Sequence, residues 1–179
     1  MLRKFIAACF VAFAAEPSVS SFIKPSAARY VTADLFDPNA ELCLNIENIE
    51  LEQTFDVIIA SHVLEHVDDK KALASVRNKL ADGGILIAMV PIANELEKTF
   101  EDPTITSPKD RALYFGQVDH VRYYGRDFID RVSSAGFSVE RFSPNELEIA
   151  KFGLQRDTVF ICCKKSRTKH DGIQLSRNG

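Results

Sequence analysis

The chain has 179 residues, 46% hydrophobic and 26% charged, with a formal net charge of −3. That length supports one domain with a sizeable core, and the composition is that of an ordinary globular protein. The slight acidity excludes the large basic field of a nucleic-acid binder, and no apolar run is long enough for a transmembrane helix. Four cysteines, Cys9, Cys43, Cys162 and Cys163, have no CxxC spacing. Neighbouring Cys162 and Cys163 point to opposite faces of a strand, so a reduced, cytoplasmic interior is expected rather than a disulfide framework.

In chain order, Lys4–Ala14 reads as a buried parallel strand, a continuous apolar run. The same segment has a second reading. Basic Met1–Lys4, apolar Phe5–Phe13 and the A-x-A spelling at Ala12–Ala14 have the layout of a secretory signal, so residues 1–14 would direct secretion. Ser18–Ala28 predicts a short helix interrupted by Pro25. Arg29–Ala33 predicts a strand ending at Asp34, Asp37-Pro-Asn39 a turn, and Leu42–Ile46 a weak short strand. Phe55–Ala60 is apolar and rich in β-branched residues, and turns polar at Ser61 and His62. It reads as a buried strand with a ligand-facing end.

Asp68 caps a predicted helix over Asp69–Leu80, with Leu73, Val76 and Leu80 at helical spacing and Asp82-Gly83-Gly84 as its stop. Ile85–Val90 predicts the next strand. Alternating strand and helix imply right-handed parallel βαβ units. Residues 92–124 form a connection long enough to be functional or to hold small elements of its own. A helix is predicted over Arg126–Ala135. Phe137–Phe142 and Asp157–Cys163 are the last strands, able to pair as an antiparallel edge. Residues 166–179 are basic and polar and read as a disordered tail, leaving one domain over 1–165.

Two stretches carry a resemblance. Phe55–Val67, ending Leu64-Glu65-His66-Val67, resembles the fourth strand and following turn of class I S-adenosylmethionine-dependent methyltransferases of the "LEHV" branch. Phe115-Gly-Gln-Val-Asp-His-Val-Arg-Tyr-Tyr-Gly125 is similar to a segment after the fifth strand in small methyltransferase-like proteins. The resemblance runs from the first strand to Lys165. It implies a Rossmann-like α/β fold with a mostly parallel sheet and an antiparallel edge strand. It also implies S-adenosylmethionine as cofactor and methyl transfer to a small-molecule acceptor.

By the same resemblance, the cofactor lies between Ala14, Ala15 and Glu16 on one side and Ser61 and His62 on the other. Asp34 is then at the ribose, and Asn45 and Ile46 are near adenine. His120, followed by His62, is the candidate catalytic base, Asp119 its partner, and Arg122 a grip for an anionic group. No metal site is expected with this reading, although Glu65 and His66 match part of a metal-binding set that some related quinone-pathway O-methyltransferases place in this turn. Two departures from the family pattern stand out. The loop after the first strand lacks the usual glycines, since the first glycine is Gly83, and the helix that usually precedes that strand is missing, as in a chain shortened at its N-terminus. They leave open a non-catalytic methyltransferase-like binding protein.

A third class remains. His62-x-x-Glu65-His66 spells a zinc-hydrolase motif, in which a helix would place both histidines on one face and Glu65 as base. Against it, Glu65 and His66 can simply hold the turn by hydrogen bonds. Likewise Asp119 and Arg122 can form an ion pair in a purely structural loop.

Overall fold

The structure is a computed structural model that describes residues 8–152 and 159–164. The strands are β1 (Cys9–Phe13), β2 (Arg29–Asp34), β3 (Leu42–Cys43), β4 (Phe55–Ser61), β5 (Leu80–Met89), β6 (Phe137–Phe142) and β7 (Val159–Lys164). The helices are α1 (Pro17–Ile23), α2 (Asp69–Lys79), α3 (Pro108–Phe115), α4 (Phe128–Ser134) and α5 (Glu146–Phe152).

All seven strands form one sheet in the order β3-β2-β1-β4-β5-β7-β6. The five from β3 to β5 pair in parallel, while β7 runs antiparallel to both β5 and β6. This is a Rossmann-like sheet with a reversed strand near one edge, as the resemblance implied. Apolar runs explain its centre. Val11, Ala12 and Phe13 of β1 and Val57, Ile58 and Ala60 of β4 are buried, because helices and loops cover both faces of a parallel sheet. One core cluster joins these strands to Leu73 and Val76 of α2 and Phe128 and Val132 of α4; a smaller cluster on the opposite face gathers Phe10, Tyr30 and Val57.

Several boundaries differ from the sequence expectation. Strand β1 begins at Cys9 among the described residues, and Lys4–Ala7 of the expected strand lie outside them. The A-x-A spelling falls on this central strand and the turn after it. The expected helix at Ser18–Ala28 is the shorter α1 followed by a 3-10 turn at Lys24–Ser26 holding Pro25. Strand β3 keeps two residues, because Asn45 closes a turn by pairing with Asn48, and the Ile46 side chain enters the core from that turn.

Helix α2 starts where Asp68 predicted, its carboxylate accepting from the Lys71 N–H at 3.2 Å. Asp82-Gly83-Gly84 does not close it. These residues bulge within β5, whose register with β4 jumps from Leu80 opposite Phe55 to Ile85 opposite Val57. Cysteines 9, 43, 162 and 163 are all unpaired, and burial pushes the Cys162 thiol up to about 12. No helix among the described residues is long and apolar enough to cross a membrane. Residues 165–179, which include the expected tail, lie outside the described residues.

Candidate functional site

The neighbouring strands β2, β1 and β4 run parallel, so their carboxyl ends lie together on one side of the sheet. Strands β1 and β4 are adjacent, and β1 continues through Ala14 into α1 while β4 turns at Ser61. This is a topological switch point, where the connections lead away in opposite directions and open a crevice. Ser61 Oγ donates to Glu16 Oε1 across it at 3.2 Å, so the Ala14–Glu16 loop and Ser61–His62 face one another as expected.

The turn after β1 is built without glycine. Ala14 adopts φ +47°, the left-handed region that glycine normally occupies, and its N–H donates to the Ala33 carbonyl at 3.1 Å. Its small exposed side chain leaves the backbone open to the crevice. At the neighbouring strand end, Asp34 Oδ1 accepts from the N–H groups of Phe36 (2.7 Å) and Asp37 (2.9 Å). One carboxylate oxygen therefore shapes the turn. Asn45 Oδ1 accepts from the Glu47 N–H at 2.9 Å, and Ile46 is buried in the core.

His62 is the second non-glycine residue with positive φ, at +53°. Its N–H donates to the Met89 carbonyl, which fixes the strand-to-turn bend, and its imidazole is 45% exposed. The segment that follows is a 3-10 turn, Leu64–His66, and not part of a helix. The H-x-x-E-H spelling thus lacks the helical spacing that would put His62 and His66 on one face, which corrects the zinc-hydrolase expectation. His62 Nδ1 instead lies 3.3 Å from Glu65 Oε1.

The Asp119–Gly125 segment explains why that turn holds. The Val121 N–H donates to the Glu65 carbonyl at 2.9 Å, Arg122 Nη1 donates to the carbonyls of Leu64 and Val67, and the Tyr124 hydroxyl lies 3.1 Å from the Leu64 carbonyl. Arg122 is 7% exposed and also donates to Glu101 Oε2 at 3.0 Å. It does not pair with Asp119 and is not free to hold an anionic substrate. Asp119 instead lies 3.2 Å from His66 Nδ1.

Behind the turn sits an ion network that sequence reasoning missed. Asp69 accepts from Arg131 at 2.9 and 3.0 Å, and Glu101 accepts from both Arg122 and Arg131. Burial alone would raise the Glu101 pKa, but hydrogen bonds and charge from Arg122 and Arg131 outweigh it and hold the carboxyl below its ordinary value. Burial, reinforced by the Asp69 charge, raises the Tyr124 pKa and keeps its hydroxyl protonated. Arg131 and Asp69 are far apart in sequence, and no spacing signal joins them.

His120 is 5% exposed. Its Nδ1 donates to the Phe115 carbonyl at 3.0 Å, and its ring meets that of His66 edge-on at 4.7 Å between centroids. The structure thus separates the two histidines proposed for catalysis: His62 at the crevice, His120 enclosed behind the turn. A separate open cleft of about 420 Å³ is lined by Lys98, Phe100, Tyr114 and Tyr123, in the connection between β5 and α4 rather than at the strand ends.

Residues 10–141 match the model of a family described as methyltransferase domain. No curated protein sequence matches the chain. Among solved structures, the 1,6-didemethyltoxoflavin-N1-methyltransferase of Burkholderia thailandensis, determined with 1,6-didemethyltoxoflavin and S-adenosylhomocysteine, is similar at 15% identity and TM-score 0.59. The match covers 89% of this chain and 72% of that one. The N-methyltransferase NodS of Bradyrhizobium japonicum, determined with S-adenosylhomocysteine, is similar at 14% identity and TM-score 0.55, covering 90% and 80%. The CurJ carbon methyltransferase is 21% identical with TM-score 0.59; the match covers 89% of this chain, which spans about half, 49%, of the CurJ chain. At such identities these likenesses speak for the fold, whereas the family match spans most of the sequence. The chain belongs to the methyltransferase domain family, the class I S-adenosylmethionine-dependent type that its Leu64–Val67 and Phe115–Gly125 segments resemble.

Proposed function

We propose that the chain binds S-adenosylmethionine in the crevice between β1 and β4 and transfers its methyl group to a small-molecule acceptor. The observation that carries this reading is the pairing of Glu16 with Ser61 across the switch point, beside Asp34, in a chain of this family. Two similar structures were determined with S-adenosylhomocysteine, the product of such a transfer.

The residues present fit the cofactor. The left-handed Ala14 turn brings bare backbone to the crevice, as a glycine would. Asp34 keeps Oδ2 for a ribose hydroxyl while Oδ1 holds its turn. Asn45 takes the adenine end through its side-chain amide, since its Oδ1 already accepts from Glu47, while Ile46, expected beside the ring, is enclosed in the core and does not line the crevice. Ala15 and Ser61 flank the middle. When bound, S-adenosylmethionine supplies a methyl activated by its sulfonium, which the acceptor's lone pair takes while the bonding electrons stay on sulfur.

The protein's part is alignment and exclusion of water. Where the acceptor must lose a proton, His62 is the better placed of the two histidines, because its imidazole is exposed at the strand end beside Ser61, whereas His120 is enclosed.

Calorimetric titration with S-adenosylmethionine and S-adenosylhomocysteine tests the reading. Asp34→Asn keeps the turn-forming oxygen and removes the charge. The loss of a charge-assisted hydrogen bond should weaken binding about tenfold to a hundredfold. Unchanged affinity would remove Asp34 from the site. No binding by the cooperatively folded wild type would refute the proposal.

A further inference from the structure

Glu65 is 1% exposed, and its Oε2 has no hydrogen-bond partner. A buried carboxylate oxygen left unsatisfied is costly, so such an atom calls for an explanation. Its surroundings offer one. Glu65, His66 and His120 each present a ligand atom, and all three atoms lie within 4.8 Å of one another.

The hydrogen bonds already made by the two Nδ1 atoms point to Nε2 as the ligand atom on each histidine. A carbonyl only accepts, so His120 Nδ1 carries the proton it gives to Phe115. His66 Nδ1 likewise faces the Asp119 carboxylate. In the neutral rings both Nε2 atoms then carry free lone pairs. A metal-binding histidine characteristically donates its other N–H to a carboxylate or a backbone carbonyl, and here one histidine does each.

We propose that Glu65, His66 and His120 hold a divalent transition-metal ion, with a fourth position left to water. Two imidazoles and one carboxylate suit zinc, with bonds of about 2.0–2.2 Å. Tetrahedral bonds of that length place ligands roughly 3.4 Å apart, so binding would draw the three atoms inward. His66, on a short 3-10 turn and partly exposed, is the member free to move. The ion would neutralise the orphaned carboxylate and fasten the turn after β4 to the loop after α3, beside the Val121–Glu65 backbone bond. This set differs from the H-x-x-E-H spelling, because His62 is excluded and the third ligand comes from a distant loop. It goes beyond the methyl-transfer reading and does not depend on it.

The test titrates the full chain, stripped of metal with a chelator, with zinc ion alone. One zinc per chain and a raised melting temperature are expected. Glu65→Gln and His120→Ala should each lower affinity by more than about 100-fold, beyond the 10–100-fold of a second-shell change such as Asp119→Asn. His62→Ala should keep one zinc per chain. Circular dichroism without metal checks that each variant folds. The absorption spectrum of the cobalt-loaded wild type offers a check that needs no variant, since nitrogen and oxygen ligands give no thiolate charge-transfer band. No saturable uptake by folded wild type would overturn the proposal. So would wild-type affinity in folded His120→Ala, loss of the site in His62→Ala, or a thiolate band from the exposed Cys43 or Cys163.

Discussion

Ala14→Gly should stabilise the protein, although glycine usually weakens a fold. Ala14 sits at φ +47°, and its N–H is tied to Ala33, so the conformation cannot relax without losing that bond. A left-handed conformation costs an L-residue about 1–2 kcal/mol. Glycine removes that strain but adds about 0.4–1 kcal/mol of unfolded-state entropy. The difference favours glycine by about 0.5–1 kcal/mol, which in a chain of this size raises the melting temperature by roughly 1–4 °C. Urea and thermal unfolding would measure it. Because the side chain is exposed at the crevice, S-adenosylmethionine affinity should be kept or improved. Ala14→Val is the control, since a β-branched residue at positive φ is a genuine outlier. A glycine variant less stable than wild type by 1 kcal/mol or more, or a valine variant of wild-type stability, would refute the strain argument.

Two further outcomes follow from the clamp behind the turn. Glu101 has a lowered folded-state pKa, so its contribution is complete above the unfolded value of 4.5 and is lost as the pH falls through the folded value. Glu101→Gln should therefore lower stability most at neutral pH, and the difference from wild type should shrink as the solution is acidified below pH 4.5; a constant difference measured by urea unfolding across that range would contradict the assignment. At Gly125 an added Cβ would lie 2.6 Å from the Lys98 carbonyl carbon and 2.7 Å from its oxygen. Backbone atoms cannot swing away as a side-chain end can, so Gly125→Ala should cost about 3 kcal/mol or more, and a melting temperature within about 2 °C of wild type would count against the packing.

The centre of the sheet was legible because its signal is local. Val57–Ala60 and Ile85–Met89 are apolar runs bounded by turns, and Asp68 is an N-cap that behaves as one. Strand β3 was overextended because Leu44 and Ile46 look like strand residues, yet Ile46 reaches the core from a turn. Helix α3 was missed despite a usable signal, a Ser107 cap with Pro108 behind it and Asp110 bonded back to the serine hydroxyl. Helix α5 had the same kind of signature, with Asn145 and Glu148 satisfying each other's N–H groups. The facing of Ala14–Glu16 with Ser61–His62 was reachable from the resemblance, because these residues follow neighbouring strand ends. The partnership of His120 with Glu65 and His66 was not. It depends on a backbone bond from Val121 to Glu65, and sequence carries no local trace of such a contact.

The strand order sets a schedule for folding. β1 is made before the other six described strands but lies between β2 and β4, so its second edge waits for Phe55–Ser61 before it is paired. Nascent chains shorter than that carry an exposed apolar strand of the kind chaperones bind. The other end of the sheet waits longer still. β6 is joined to the sheet only through β7, so Phe137–Phe142 has no strand partner until Val159–Lys164 has been made and slides in beside β5. Among the described strands, pairing therefore runs from the middle outward, and β7 is the one that joins β6 to the rest.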